Sequence, residues 1–250
     1  MWKGNKVSVV FPTHSERDCI RSVILEFHET GFVDEIVVVN NNAEPGTSEE
    51  IAGTPAREVF ETEPGYGHAI QRGLREATGD LLIVSEPDST FSGHDVVKLL
   101  AYSDDFDVVF GTRTSPLLIW EGANMGFLLR VGNILVAKVL EFLFNTSQLT
   151  DMGCTMRLLR RNAYERMKAG FSVGGSHFSP EVICLAAIHR LKSIEIPVNY
   201  RPRIGESSIT GSKFKAIRLG VIMLGLVVKY RFKSWFSSKS EKRSDVAGAR

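Results

Sequence analysis

Most familiar catalytic signatures are missing from this 250-residue chain. The three cysteines, Cys19, Cys154 and Cys184, stand far apart and form no CxxC. That argues against a disulfide framework or a zinc site and fits a reducing compartment. The six histidines are scattered and read as surface or hydrogen-bonded side chains rather than metal ligands. No GxxxxGK[ST] is present, which removes the P-loop enzymes. Gly65, Gly67 and Gly73 miss the spacing of a dinucleotide fingerprint. There is no GxSxG and no cysteine with a convincing histidine partner. No interleaving of aromatic and basic residues suggests stacking on a nucleic acid. The N-terminus is too polar for a signal peptide, and no internal repeat is visible. The charge-free run at residues 219–228 has ten residues, against the ~20 that span a bilayer.

What is present is alternation. Apolar runs at residues 7–11, 35–39, 56–62, 81–84, 107–111 and 193–197 read as strands. Helical patterns at 15–29, 47–51, 68–77, 92–100 and 179–189 lie between them. This predicts a mostly parallel central sheet flanked by helices, an α/β fold of one large domain or of a domain with an appendage. Pro12 is expected to stop the first strand, Ser15 to cap the first helix, and Thr47 to cap the second. Residues 149–161 read as loop and strand.

Two segments have another character. Residues 127–144 are strongly apolar, broken by Arg130, Asn133, Lys138 and Glu141; this suits a core helix or one lying on a bilayer. Residues 213–236 carry an apolar centre between Lys213, Lys215 and Arg218 on one side and Lys229, Arg231 and Lys233 on the other, with Trp235 at the margin. An interfacial helix and a helix packed on the body both fit. Between Arg201 and Arg250, twelve Lys and Arg face three Asp and Glu, so this end carries +9 and the remainder −8. A basic end on an acidic body points to an anionic surface or a solvated tail. We expect a domain at 1–211, a membrane-interface or packing helix at 212–236, and a disordered basic tail at 237–250.

The chemistry is placed at Glu86-Pro87-Asp88, directly after the buried strand 81–84. In open α/β sheets, ligands lie beyond the carboxyl ends of strands. Carboxylates there can hold a divalent cation, and a cation can hold a diphosphate. An acidic turn around Pro87 would look the same, so the pair gains meaning only from its company. Other strand ends carry Pro12, Thr13 and Glu16, then Asn40-Asn41-Asn42, then Gly65 and Gly67, then Arg113. Such a set suits a nucleotide diphosphate.

These segments resemble, in order, the motifs of family-2 glycosyltransferases of the GT-A fold, especially the dolichol-phosphate mannosyltransferases and related polyprenyl-phosphate glycosyltransferases. Residues 9–16 are similar to the "IPTYNE" turn and 35–47 to "VVDDxSxDGT". Gly65-Tyr66-Gly67-His68-Ala69 is similar to the glycine-rich helix start. Ala77-Thr78-Gly79-Asp80 with Glu86-Pro87-Asp88 is similar to "ATGD…DAD". Residues 151–157 are similar to "DxxSGFR" and 197–208 to "PVxYxxRxxGxS". The resemblance covers about residues 7–211.

The resemblance implies that Pro12, Thr13 and Glu16, with Gly65 and Gly67, line the nucleotide pocket and that Asn40 reads the base. Glu86 and Asp88 would hold Mg²⁺ or Mn²⁺ on the donor, a nucleotide-diphosphate sugar linked to UDP or GDP. Arg203 would reach the diphosphate, while Arg113 and Arg130 would grip an acceptor phosphate through their planar forks. For Arg130, a charge snorkelling off an apolar helix is the competing reading. Asp151 would act as a base or orient the acceptor. The implied reaction is a single inverting displacement onto a polyprenyl phosphate, by a protein peripheral to the cytoplasmic face of a membrane, alone or with a membrane-embedded partner. A soluble acceptor, or a non-catalytic protein binding nucleotide sugar or lipid, are the alternatives. Two departures stand out: Asn40-Asn41 replace paired aspartates, which bears on base preference, and Glu86-Pro87 replaces the first two residues of DAD, which bears on metal geometry and donor choice.

Overall fold

The computed structural model describes residues 1–123, 126–204 and 213–247. Seven strands form one sheet in the order β3-β2-β1-β4-β6-β5-β7. The first four are β1 (Val7–Thr13), β2 (Glu35–Asn40), β3 (Ala56–Phe60) and β4 (Leu81–Val84). The last three are β5 (Val108–Thr112), β6 (Arg157–Arg160) and β7 (Ser193–Pro197). All pairings are parallel except those of β6 with β4 and β5.

The strands are continuous apolar runs because both faces of the sheet are covered. Side chains alternate across the pleat, so Val9 and Phe11 enter one core while Val10 enters the other. The first core is closed by α1 (Arg17–Glu29) and α4 (Val96–Tyr102). The second is closed by α3 (Tyr66–Glu76), α5 (Phe127–Phe144), α7 (Phe178–Ile188) and α8 (Lys213–Ala247). Short helices α2 (Thr47–Ile51) and α6 (Arg161–Met167) complete the set.

The chain leaves β1 toward β2 and β3, then returns to the other side of β1 as β4. The crevice between the ends of β1 and β4 is therefore a topological switch point, where α/β sheets hold ligands. Antiparallel β6 begins opposite Val84, the last residue of β4. That reversal brings the preceding loop, with Asp151, to the same edge as the parallel strand ends.

Several local expectations change. Pro12 lies inside β1 rather than ending it. The Val10 carbonyl accepts from Ser85 on the β4 side, and Pro12, two residues on, faces the same way. Since β4 has ended by then, no ladder bond is lost. The first helix is capped at Glu16, not Ser15, and the second at Gly46, not Thr47. Helix α6 starts at Arg161, the last residue of the stretch read as loop and strand, and runs on through residues for which no element was named. Its buried residues are Ala163, Tyr164 and Met167, a helical spacing.

The last helix is both packed and exposed. Met223, Leu226, Val227 and Tyr230 are buried in the second core, and the Tyr230 hydroxyl donates to buried Glu181 of α7 at 2.5 Å. Glu181 also accepts from the Ser172 and Val173 amides at 3.0 and 3.1 Å. The backbone of α8 continues to Ala247, past Ser237 where a disordered tail was expected. Lys, Glu and Arg are good helix formers, so the helix outlasts the apolar pattern. Residues 205–208, the end of the late motif, and the expected domain boundary at 211 lie outside the described residues.

Candidate active site

Five parts of the site converge at the β1/β4 crevice, the fourth of them built from two chain segments. The first is the turn after β1. Here Glu16 folds back, its Oε2 accepting from the His14 and Ser15 amides at 2.8 and 2.9 Å and from the Thr13 hydroxyl at 3.1 Å. Its Oε1 accepts from Arg203 Nη2 at 3.0 Å. The second is the turn after β4. Asp88 is fully buried, and its Oδ1 accepts from the Thr90 amide at 3.0 Å and the Thr90 hydroxyl at 2.5 Å.

The third segment, residues 198–204, follows β7 and crosses the strand ends. Its backbone bonds to Thr90 and Asp88 carbonyls through the amides of Arg201 and Ile204 at 2.8 and 3.2 Å. Arg201 pairs with Glu26 at 3.0 Å, and Asn199 Nδ2 donates to buried Asp95 at 2.9 Å. The segment is thus stapled down, and it holds Arg203 between two carboxylates, Glu16 at 3.0 Å and Asp88 at 3.1 Å. Burial works against the Arg203 charge, but Asp88, Glu86 and Glu16 outweigh it and raise its pKa above the ordinary value.

Glu86 makes no ion pair with a described residue. Burial, then the neighbouring Asp88 charge, push its carboxyl up to about 8, against the pull of Arg203 and Arg113. Asp88 Oδ2 is buried without a hydrogen bond among the described residues. Arg203 sits 3.1 Å away but off hydrogen-bonding geometry, so this oxygen keeps a free lone pair. Two hard oxygen donors two residues apart, one orphaned and one uncomfortable as an anion, fit Mg²⁺ or Mn²⁺. Among the described residues no three His, Cys, Asp or Glu side chains converge as a full ligand set. Such a cation would take its remaining ligands from phosphate and water, the usual habit of Mg²⁺.

The fourth segment pairs Arg113, after β5, with Asp151, before β6. The contact is bidentate, Nε to Oδ2 at 2.8 Å and Nη2 to Oδ1 at 3.0 Å. The Arg113 and Gly153 amides also donate to Asp151, at 3.0 and 2.9 Å. Burial pushes the Asp151 carboxyl up, yet Arg113 and these amides hold it below the usual carboxylate range. It is therefore a saturated anion and a poor proton acceptor. Arg113 is also stacked 5.2 Å above the Tyr200 ring. On α5, Asn133 approaches Gly153 beside this pair. Arg130 lies one turn earlier, half-buried and without an ion pair to any described residue. Tyr200 falls in the late motif and Asn133 among the polar breaks of the apolar segment, but neither was given a role from sequence.

The fifth segment is the α3 start. Gly65 has φ +140°, and a Cβ there would sit 2.3 Å from the Gly174 carbonyl oxygen. At Gly67 the clash would be with the Val173 oxygen, at 2.2 Å. The Gly67 amide donates to the Gly174 carbonyl at 2.7 Å. Both glycines let the helix start pack against residues 173–174. Gly67→Ala should therefore destabilise the fold by about 2 kcal/mol or more, read as a lowered urea midpoint; an unchanged midpoint would refute this packing role.

Asn40 and Asn41 are occupied by the fold. Asn40 Nδ2 donates to Glu58 at 2.8 Å while its Oδ1 accepts from the Ala43 amide at 2.9 Å. Asn41 Nδ2 donates to the Glu61 and Glu63 carbonyls at 2.8 Å, and its Oδ1 accepts from the Gly65 amide at 2.9 Å. An aspartate could not donate in either place and, at 40, would oppose Glu58. Pro12 and Thr13 are buried at the end of β1.

Residues 8–168 match the model of Glycosyl transferase family 2. The low-salt glycan biosynthesis hexosyltransferase Agl6 of Haloferax volcanii is 29% identical over 210 residues, covering 81% of this chain and 49% of that protein. The chain thus spans about half the length of that relative. A dolichyl-phosphate hexose transferase of the same organism is 29% identical over 207 residues, covering 81% of this chain and 86% of that one. Among solved structures, glucosyl-3-phosphoglycerate synthase from Mycobacterium tuberculosis, in complex with Mn²⁺, UDP and glucosyl-3-phosphoglycerate, superposes with a TM-score of 0.69. It is 17% identical, covering 92% of this chain and 80% of that one. That likeness is one of fold, the GT-A architecture.

Proposed function

The chain belongs to glycosyl transferase family 2, and from that premise we propose that it moves a sugar from a UDP- or GDP-linked donor to a polyprenyl phosphate at a membrane surface, with inversion and with a divalent cation. The observation that carries this reading is the buried Asp88 oxygen left without a hydrogen bond, beside Glu86 and Arg203 at the switch-point crevice. Glu86 and Asp88 would hold the cation, which when bound supplies Lewis-acid stabilisation of the leaving diphosphate. Arg203, 3.1 Å from Asp88, would add its positive charge to the stabilisation of the same leaving group. Pro12, Thr13 and Glu16 shape the nucleotide end of the crevice.

A phosphate monoester acceptor is already ionised near neutral pH, so the displacement needs no strong base. That suits an Asp151 locked to Arg113. Its role is to orient Arg113, whose remaining exposed edge, with Arg130, would meet the acceptor phosphate.

The lipid acceptor draws support from the dolichyl-phosphate relative and from apolar side chains on α5 and α8 that face solvent. No helix among the described residues is long and apolar enough to cross a membrane. Contact would be peripheral, at the cytoplasmic face, with or without an embedded partner protein. A soluble acceptor is the second reading, favoured by the structural neighbour whose complexes contain phosphoglyceric acid.

Donor turnover should be measured over a panel of UDP- and GDP-sugars with Mn²⁺ or Mg²⁺, with and without a short-chain polyprenyl phosphate. Turnover that needs the lipid phosphate is the expected result. Equal turnover onto 3-phosphoglycerate or water would overturn the lipid assignment.

A further inference from the structure

At the end of the molecule opposite the crevice, a groove of about 1420 Å³ opens between the ends of α5 and α7, the start of β7 and the second half of α8. Six basic side chains line it: Arg166, His189, Arg190, Lys192, Arg231 and Lys233. No Asp or Glu is among its described lining residues. The rest of the body is acidic on balance, so this concentration is not the average surface.

Helix ends explain only part of it. The α7 C-terminus faces the groove, and Arg166 Nη2 donates to the His189 carbonyl at 2.5 Å. Cations beside a helix C-terminus offset its dipole. Arg231 lies over the Phe144 ring at 5.7 Å and Lys233 over Tyr230 at 5.8 Å. Arg190 and Lys192 are exposed and make no side-chain ion pair with a described residue.

A second, independent feature adjoins the groove. On α5, Phe127, Val131, Leu135 and Phe142 are exposed at helical spacing, Phe142 to 86%. On α8, Ile217, Val221, Val228, Phe232 and Trp235 form a matching stripe, Phe232 exposed to 53%. These two helices pack together, so both exposed stripes belong to one helical pair. Trp235, on the α8 stripe, also lines the groove. Apolar stripes beside a basic, acid-free hollow are complementary to the boundary of an anionic bilayer.

We propose that this groove is a docking site for the anionic headgroups of bilayer lipids, distinct from the acceptor site. With chains against the α5/α8 face and headgroups in the groove, the two adjoining features engage one bilayer surface together. The inference rests on the membrane-surface reading above but is read by vesicle binding, not by turnover.

The test is flotation of the full chain with vesicles of phosphatidylcholine alone or with phosphatidylglycerol at one part in three. The wild type should bind the anionic vesicles and not the neutral ones, and lose binding in high salt. Arg190→Gln with Lys192→Gln should weaken anionic-vesicle partition about thirtyfold, each basic residue near such a surface contributing roughly fivefold. Lys3→Gln with Arg75→Gln, the same charge change elsewhere, should stay within about threefold of wild type. Turnover with a soluble short-chain acceptor should not change in the groove variant, so a failed transferase reading and a failed groove are told apart. Equal binding to neutral vesicles, equal loss in the control pair, or no loss in the groove pair would each overturn the proposal. So would competition by inorganic phosphate at millimolar levels, which would reassign the groove to a soluble anion.

Discussion

Asp88→Asn should lower kcat by about 10³-fold while leaving the thermal midpoint within a few degrees of wild type. The substitution is close to isosteric. The Thr90 amide and hydroxyl can still donate to Oδ1, so the turn after β4 keeps its shape. What disappears is the charge on the buried, orphaned Oδ2. A neutral amide there cannot bind a hard cation well, and it also removes one of the two anions that position Arg203. Losing preorganised stabilisation of a leaving group typically costs 10²–10³, and here two elements of it are weakened together. Steady-state turnover at saturating Mn²⁺ and Mn²⁺ binding by electron paramagnetic resonance would both be measured. Wild-type turnover in Asp88→Asn would remove the carboxylate, and the cation it is proposed to hold, from the mechanism.

The largest effect on stability is expected from breaking the pair behind the site. Asp151 is buried, Arg113 is mostly so, and the two share a bidentate contact. Deleting one partner strands the other as an uncompensated charge, at a cost of about 3–5 kcal/mol. For a chain of this size that corresponds to a fall of roughly 10 °C in Tm. Arg113→Ala and Asp151→Ala should each show it, and the double variant should lose much less than the two added together. Arg113→Lys should not rescue, because an ammonium cannot reproduce the fork.

The pair also has a pH signature. The folded Asp151 carboxyl lies below its ordinary value, so its stabilisation is fully present above the unfolded pKa of about 4. It is lost as pH falls through the folded value. Acid unfolding should therefore be shallower in Asp151→Asn, in urea titrations between about pH 5 and pH 2. Additive single and double variants would mean that the contact carries little coupling. Low turnover in Asp151 variants is interpretable as chemistry only after this loss of stability has been measured.

The strands were legible because each is buried on both faces, which writes an uninterrupted apolar run into the sequence. Glu86 and Asp88 were legible because they follow such a run at once. Partnership across the fold was not. Nothing local links Arg113 to an aspartate 38 residues later, and the antiparallel β6 that brings them together is only four residues long. Asn40 and Asn41 read as departures from a base-binding motif, yet their hydrogen bonds are spent on Glu58 and the 61–65 turn. Their reason is in the neighbouring strand, where one-dimensional spacing says nothing. Pro12 looked like a stop because the rule about proline in strands depends on where the adjacent strand ends. Helix α6 did carry a signal, three buried residues at helical spacing, but seven residues give too little periodicity to separate it from a loop.

The Tyr230–Glu181 bond makes the last helix something other than a removable tail. Glu181 is the buried acceptor for the amides of Ser172 and Val173, and the neighbouring Gly174 carbonyl receives the start of α3. Cutting the chain before residue 213 would strip Met223, Leu226 and Val227 from the second core and leave a buried carboxylate short of one donor. Crystallographers seeking a compact, detergent-free fragment would thus obtain a damaged one. Solubility is better pursued by replacing Phe142 and Phe232 with polar residues on the exposed stripe, which leaves the inward face of both helices in place.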